Sequence, residues 1–202
     1  MNYSPDKWGP SIWFVLEQLC FAYPHVRSPT YEEQSSMIEL LEVLKFVLPC
    51  STCRNEYCML LEENNWSELK YNFTKNRENL CIFVNHIHNS VNKRLNKKVY
   101  FIFEHMQATL IRSYDKETLE KNVFVTMRSV STNFSLEHVS FFNVFLRSIC
   151  IFLPDTCYKI RRRLLLIEDK YQKITSQRKY AELMYIITRD YHSMTFEEFL
   201  DF

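Results

Sequence analysis

Apolar side chains recur along this chain with the 3.6-residue period of helices rather than the alternation of strands. Trp13, Leu16, Leu19 and Tyr23 fall on one face of a first helix. Met37, Leu40, Leu41, Leu44, Val47 and Leu48 fall on one face of a second. Thr30 and Glu33 stand three apart just ahead of that second run, the spacing of a capping box. A third helix is expected from about Cys50 to about Glu63, with the polar stretch 62–76 as a loop after it. A fourth is expected from about Arg77 to Asn96. No alternating run bounded by turn residues marks a strand. Four helices of this length predict an all-α antiparallel bundle.

The second half repeats this theme loosely. The run Ile151-Phe152-Leu153-Pro154-Asp155-Thr156-Cys157 echoes Phe46-Val47-Leu48-Pro49-Cys50-Ser51-Thr52-Cys53. At the same offset Leu165, Leu166 and Glu168 fall on Leu60, Leu61 and Glu63. Asp155 takes the place of the first cysteine, and Cys157 is one position out of step. The expectation is a bundle over residues 1–105 followed by a helical C-terminal domain over 106–202, a degenerate second bundle without the cysteine pair. The competing reading is two unrelated helical segments that share a proline.

Composition narrows the chemistry. At 202 residues the chain can bury a substantial core. Its net charge of +1 gives no electrostatic case for nucleic acid or a membrane surface. The single glycine, Gly9, excludes a Rossmann fingerprint or a P-loop, each of which needs several. A phosphate-bearing cofactor would therefore lie between helices. The N-terminus has no signal-peptide pattern, and no run of ~18 apolar residues exists to span a membrane. Seven cysteines, an odd number, argue against a secreted disulfide scaffold.

Chemistry concentrates at Pro49-Cys50-Ser51-Thr52-Cys53. Two cysteines at this spacing, opening a helix after a proline, place sulfur where backbone N–H groups and the helix dipole favour a thiolate. Taken alone the pair fits redox chemistry, half of a zinc site, or two buried thiols. Zinc would need Cys58 and His86 or His88 as further ligands, and no second Cys-x-x-Cys exists. Two other blocks flank the pair: Trp8-Gly9-Pro10-Ser11-Ile12-Trp13 with Tyr23-Pro24 downstream, and a stretch from Arg77 through His88-Asn89-Ser90-Val91-Asn92 to Lys97. His88, Asn92 and Leu95 share one helix face. With Lys93, Arg94 and Lys97 nearby they form a polar stripe ending in cations, suited to an adenine-ribose-pyrophosphate. Trp13, Tyr23 and Phe83 are candidates to sandwich its rings.

These three blocks, in this order, resemble the Erv/ALR family of FAD-linked sulfhydryl oxidases, particularly the versions of large DNA viruses. The resemblance covers about residues 8 to 100. It implies that Cys50 and Cys53 form the active disulfide, with Cys53 beside the flavin and Cys50 exchanging with incoming thiols. It also implies that Trp13, His88, Asn92, Arg94, Lys97 and Tyr100 surround FAD, joined by Trp8, Tyr23 and Phe83 of the matching blocks. No metal is implied. The chain departs from the family pattern in four places. Glu17 stands for a usual histidine, Phe83 for a usual tryptophan, Asn96 for a common glycine, and Tyr100 where phenylalanine is frequent.

The activity so implied is oxidation of dithiols in proteins or small molecules, with electrons passing through FAD to dioxygen to give hydrogen peroxide. Implied partners are thiol-containing protein substrates, dioxygen and a second copy of the chain, with no nucleic acid and no membrane. The implied setting is the cytoplasm or nucleus of an infected cell, with virion proteins as recipients of disulfides. Cys20, Cys58, Cys81 and Cys150 read as buried small hydrophobes. No second Cys-x-x-Cys or Cys-x-Cys offers a shuttle, and only Cys150 with Cys157 stands in reach of that role. The alternative is a helical adaptor or virion structural protein with a vestigial flavin site. It would use Arg161-Arg162-Arg163 and the aromatic stretch Phe141 to Phe152 as a partner surface.

Overall fold

A computed structural model describes residues 4–24, 26–100, 116–131, 137, 139–153, 161–162, 176–188 and 195–200. All the regular elements among the described residues are helices. The first half holds α1 (Pro5–Ala22), α2 (Tyr31–Val47), α3 (Ser51–Glu63), α4 (Trp66–Phe73) and α5 (Arg77–Arg94). The second holds α6 (Lys116–Ser131), α7 (Val139–Phe152), α8 (Gln177–Thr188) and α9 (Phe196–Leu200). None of these is long and apolar enough to cross a membrane.

The helix boundaries follow from local chemistry. Pro5 opens α1, where its missing N–H costs nothing. Pro24 pushes Tyr23 into an extended conformation and ends the helix. The capping box of α2 is complete: Glu33 N–H donates to Thr30 Oγ1 at 3.2 Å, and Thr30 N–H donates to Glu33 Oε2 at 2.7 Å. Pro49 stops α2 in the same way as Pro24 stops α1, and Cys50 becomes the N-cap of α3. α5 is capped by Asn76, whose Oδ1 accepts from Asn79 N–H at 2.8 Å. It stops two residues short of the expected Asn96, which is left-handed at φ 53°. Asparagine is among the few non-glycine residues that enter this region at small cost.

One expectation is corrected. The stretch 62–76 is not a loop, because α4 occupies its middle. Trp66 and Phe73 lie seven residues apart on one face and stack with Phe83, at centroid distances of 4.9 and 4.4 Å. Trp66 Nε1–H and Lys70 Nζ both donate to Glu42 Oε1, which ties α4 to α2. A helix this short is held by such tertiary anchors rather than by propensity. Left-handed Asn65, at φ 50°, makes the sharp break from α3.

α1 packs against α5 on one side and α6 on the other, while α7 lies along α2. That arrangement explains why α1 buries more than one stripe, from Trp8 through Phe21. Apolar packing runs without interruption from Trp8 to Met184. Phe46 of α2 stacks on Phe141 of α7 at 3.8 Å, and Arg147 of α7 reaches Glu39 of α2 at 2.8 Å. The echo around Pro154, Asp155 and Cys157, with Leu165, Leu166 and Glu168, lies outside the described residues.

Candidate active site

The Pro-Cys-x-x-Cys turn joins α2 to α3. Cys50 and Cys53 are linked as a disulfide with their Cα atoms 5.1 Å apart. Cys50 Sγ also accepts from Cys53 N–H at 3.1 Å, as an N-cap side chain does. That donor, together with the N-terminal end of α3, stabilises negative charge on sulfur once the bond opens. Arg54 Nη1 donates to Leu48 O at 2.6 Å and braces the turn from below.

Beside this turn lies a cavity of about 1130 Å³, lined by α1, the end of α2, α3, α5, the segment that follows α5 and the first turn of α6. Cys53 is on its wall and Cys50 is not. Trp8, Trp13, His88, Asn92, Lys97 and Tyr100 are on the wall as well. Tyr23, Phe83 and Arg94 are not. Tyr23 is fully buried, donating its hydroxyl to Thr74 O at 2.8 Å, while its own carbonyl accepts from Arg77 at 2.6 Å. Phe83 spends its ring faces on Trp66 and Phe73. Arg94 extends toward Glu63 at 3.9 Å on the surface.

The walls are flat and aromatic in part. The His88 ring lies parallel to Trp13, with centroids 4.3 Å apart and 7° between planes. Its Nδ1–H donates to Glu17 Oε1 at 2.8 Å. The carboxylate that replaces the expected histidine is thus used to hold His88. Asn92 is buried, and its Nδ2 has no hydrogen-bond partner among the described residues. A buried, unpaired donor on a cavity wall is costly unless a ligand accepts from it. Lys97 sits at the rim, donating to Asp6 Oδ1 at 2.9 Å. Its ammonium holds the Asp6 carboxyl below the usual range. Lys98 is a second cation on the wall. The donor set fits a ligand that brings flat rings, an acceptor for Asn92 and negative charge for the lysines.

Sequence reasoning missed Lys98 and four further contributors. Asn89 accepts from Tyr100 N–H at 3.0 Å and donates to Tyr100 O at 2.7 Å, folding residues 95–100 back along α5 and fixing Tyr100 at the wall. Its position beside His88 in the third block was the available signal. Tyr57, whose hydroxyl donates to Leu41 O at 2.9 Å and whose phenol is pushed up by burial, lines the cavity one turn past Cys53. Thr118 and Leu119 of α6 close one side. They carry no motif, so nothing in the sequence pointed to them.

The remaining cysteines differ from expectation at one position. Cys20, Cys81 and Cys150 are buried, whereas Cys58 is half-buried on α3 and donates its thiol to Glu62 at 3.6 Å. Cys20 and Cys81, both free thiols, are neighbours across the α1–α5 contact. The neighbouring Cys81 thiol and burial both push the Cys20 thiol well up. Cys157 lies outside the described residues.

Fold and site together define a helical redox protein, with a Cys-x-x-Cys disulfide whose inner sulfur meets a ligand-sized cavity. Residues 10–113 match the Erv1 / Alr family, and the chain belongs to it. A probable FAD-linked sulfhydryl oxidase of Acanthamoeba polyphaga mimivirus is 30% identical over 105 residues, 52% of this chain and 70% of that protein. An FAD-linked sulfhydryl oxidase of African swine fever virus is 31% identical over 94 residues, 46% of this chain and 71% of that protein. The mitochondrial FAD-linked sulfhydryl oxidase of Saccharomyces cerevisiae is 27% identical over 92 residues, and the match spans only 44% of its length. No solved structure matches the chain.

Proposed function

We propose that the protein is an FAD-dependent thiol oxidase that makes disulfides in protein or small-molecule dithiols through Cys50 and Cys53. The observation that carries this reading is the split between the two sulfurs, with Cys53 on the cavity wall and Cys50 off it. A substrate thiolate attacks Cys50 Sγ, the Cys50–Cys53 bond breaks, and Cys53 leaves as a thiolate. The second substrate thiolate attacks the substrate sulfur of the mixed disulfide. The substrate leaves as a disulfide and Cys50 as a thiolate, so two electrons now rest on the pair. FAD, when bound, would supply the acceptor for those electrons, with dioxygen as the final acceptor and hydrogen peroxide as its reduced product.

Trp8, Trp13, His88 and Tyr100 would hold the flat rings. Asn92 would donate to a ring or ribose acceptor, and Lys97 and Lys98 would face the pyrophosphate. The cavity exceeds the ~300–1,000 Å³ usual for small-ligand sites, as a dinucleotide requires. Relatives from mimivirus and African swine fever virus support a viral source. On this reading the enzyme works in the cytoplasm or nucleus of an infected cell and oxidises virion proteins where host thiols stay reduced. Two copies associate, so sedimentation should report the mass of two 24.5 kDa chains.

The deciding experiment is an absorbance spectrum of the purified protein before and after anaerobic dithiothreitol. A band near ~450 nm that bleaches with the thiol and returns in air is the expected result. A colourless protein that takes up no FAD would refute the reading.

A further inference from the structure

We propose that α6, which begins beyond the family match, is a working wall of the flavin cavity, with Leu119 setting how tightly the cofactor is held. This rests on the flavin reading of the cavity. The family match ends at residue 113, and α6 begins at Lys116. Nevertheless Thr118 and Leu119 face the same cavity as Trp13, Cys53 and His88. Leu119 is buried, at 1% exposure, and belongs to the shared core. Thr118 is exposed at the cavity edge.

The rest of α6 is fixed independently of the cavity. Val123, Met127 and Val130 follow Leu119 at helical spacing and are all buried, as α6 packs along α1. The first turn of α6 is thereby presented to the cavity by anchors that do not line it. An apolar Leu on that wall matches a ring of the cofactor rather than its pyrophosphate, because phosphate oxygens lose hydration there without gaining a donor. The lysines at positions 97 and 98 lie on the wall for the charged part. The second half of the chain thereby serves cofactor retention, adding a wall beside apolar residues of the first half such as Leu16 and Leu44.

The test is FAD titration of the full-length apoprotein, read by quenching of flavin fluorescence, beside thermal unfolding of the same samples. Leu119→Ala should weaken FAD binding about tenfold or more. Thr118→Trp, a surface change that fills the cavity edge, should weaken it comparably while leaving the unfolding temperature near wild type. Leu146→Ala is the control: Leu146 is buried in α7 and off the cavity, so its loss should lower the unfolding temperature and leave FAD affinity within twofold. FAD affinities within twofold of wild type for both α6 variants would overturn the proposal while leaving the flavin reading intact. An equal loss in Leu146→Ala would also overturn it, as that marks a global effect. Wild-type protein that binds no FAD would overturn the flavin reading itself.

Discussion

Glu17 stands 2.8 Å from His88 Nδ1, and His88 lies flat against Trp13. The carboxylate can only accept, so it selects the ring form that carries its proton on Nδ1 and stops the ring from turning. Glu17→Ala removes that restraint and should weaken FAD binding by on the order of 1 kcal/mol, the net worth of one hydrogen bond. Glu17→Gln keeps an acceptor and should lose less. A titration in which both variants bind like wild type would remove Glu17 from the site. The two sulfurs differ in the same local way. Cys50, off the cavity wall, should be trapped as a mixed disulfide with glutathione disulfide in Cys53→Ser. Cys53, on the wall, should be trapped at least about tenfold more slowly in Cys50→Ser. Intact mass against time measures both rates, and equal rates would contradict the division of labour. Trp8, Trp13, Cys53, His88, Asn92 and Lys97 were legible as wall residues, since each belongs to a short block with its own chemistry, whereas Tyr57 and Lys98 lie outside the blocks. Arg94, Tyr23 and Phe83 show the limit. A motif fixes residue type and spacing, but the direction of a side chain depends on neighbours such as Trp66, Phe73 and Glu63, which lie in the stretch between the blocks or outside them.

At the scale of elements, the cap of α2 carries a pH dependence. Arg27 donates to Glu33 at 2.7 and 2.8 Å, and with the Thr30 contacts this holds the Glu33 carboxyl down to about 2 from its ordinary 4.5. A folded-state value below the unfolded one adds stability that is fully present above pH 4.5 and is lost as pH falls toward 2. Denaturant melts over that window should show the loss, and Glu33→Gln should flatten it. Thr30→Ala should cost about 1 kcal/mol at neutral pH, as other N-cap truncations do. A Glu33→Gln protein with an unchanged acid limb would rule the cap out as its source. That cap was readable from two residues, Thr30 and Glu33, because its partners are three apart. α4 was not read, although Trp66, Leu69 and Phe73 have helical spacing. Polar residues surround them, and the anchors that hold the helix, Glu42 and Phe83, are distant in sequence.

The whole molecule behaves as its packing dictates. α6 and α7 lie on α1 and α2, and apolar contact runs unbroken between the two halves. Unfolding either half would expose apolar surface on the other, so the halves should melt together. The chain provides its own probes for this. All three tryptophans, Trp8, Trp13 and Trp66, are in the first half, so their fluorescence reports that half alone. Far-UV circular dichroism reports helices from both. The two signals should trace one coincident transition in denaturant. Phe141 lies in the second half and stacks on Phe46 of the first. Phe141→Ala should therefore shift the tryptophan transition as much as the helical one, by about 2 kcal/mol, allowing for its partial burial. A helical signal that falls before the tryptophan signal, with Phe141→Ala widening the gap, would mean that the second half is an appendage. A coincident shift would mean that the frame around Cys53 owes its stability to helices that carry none of the family's motifs.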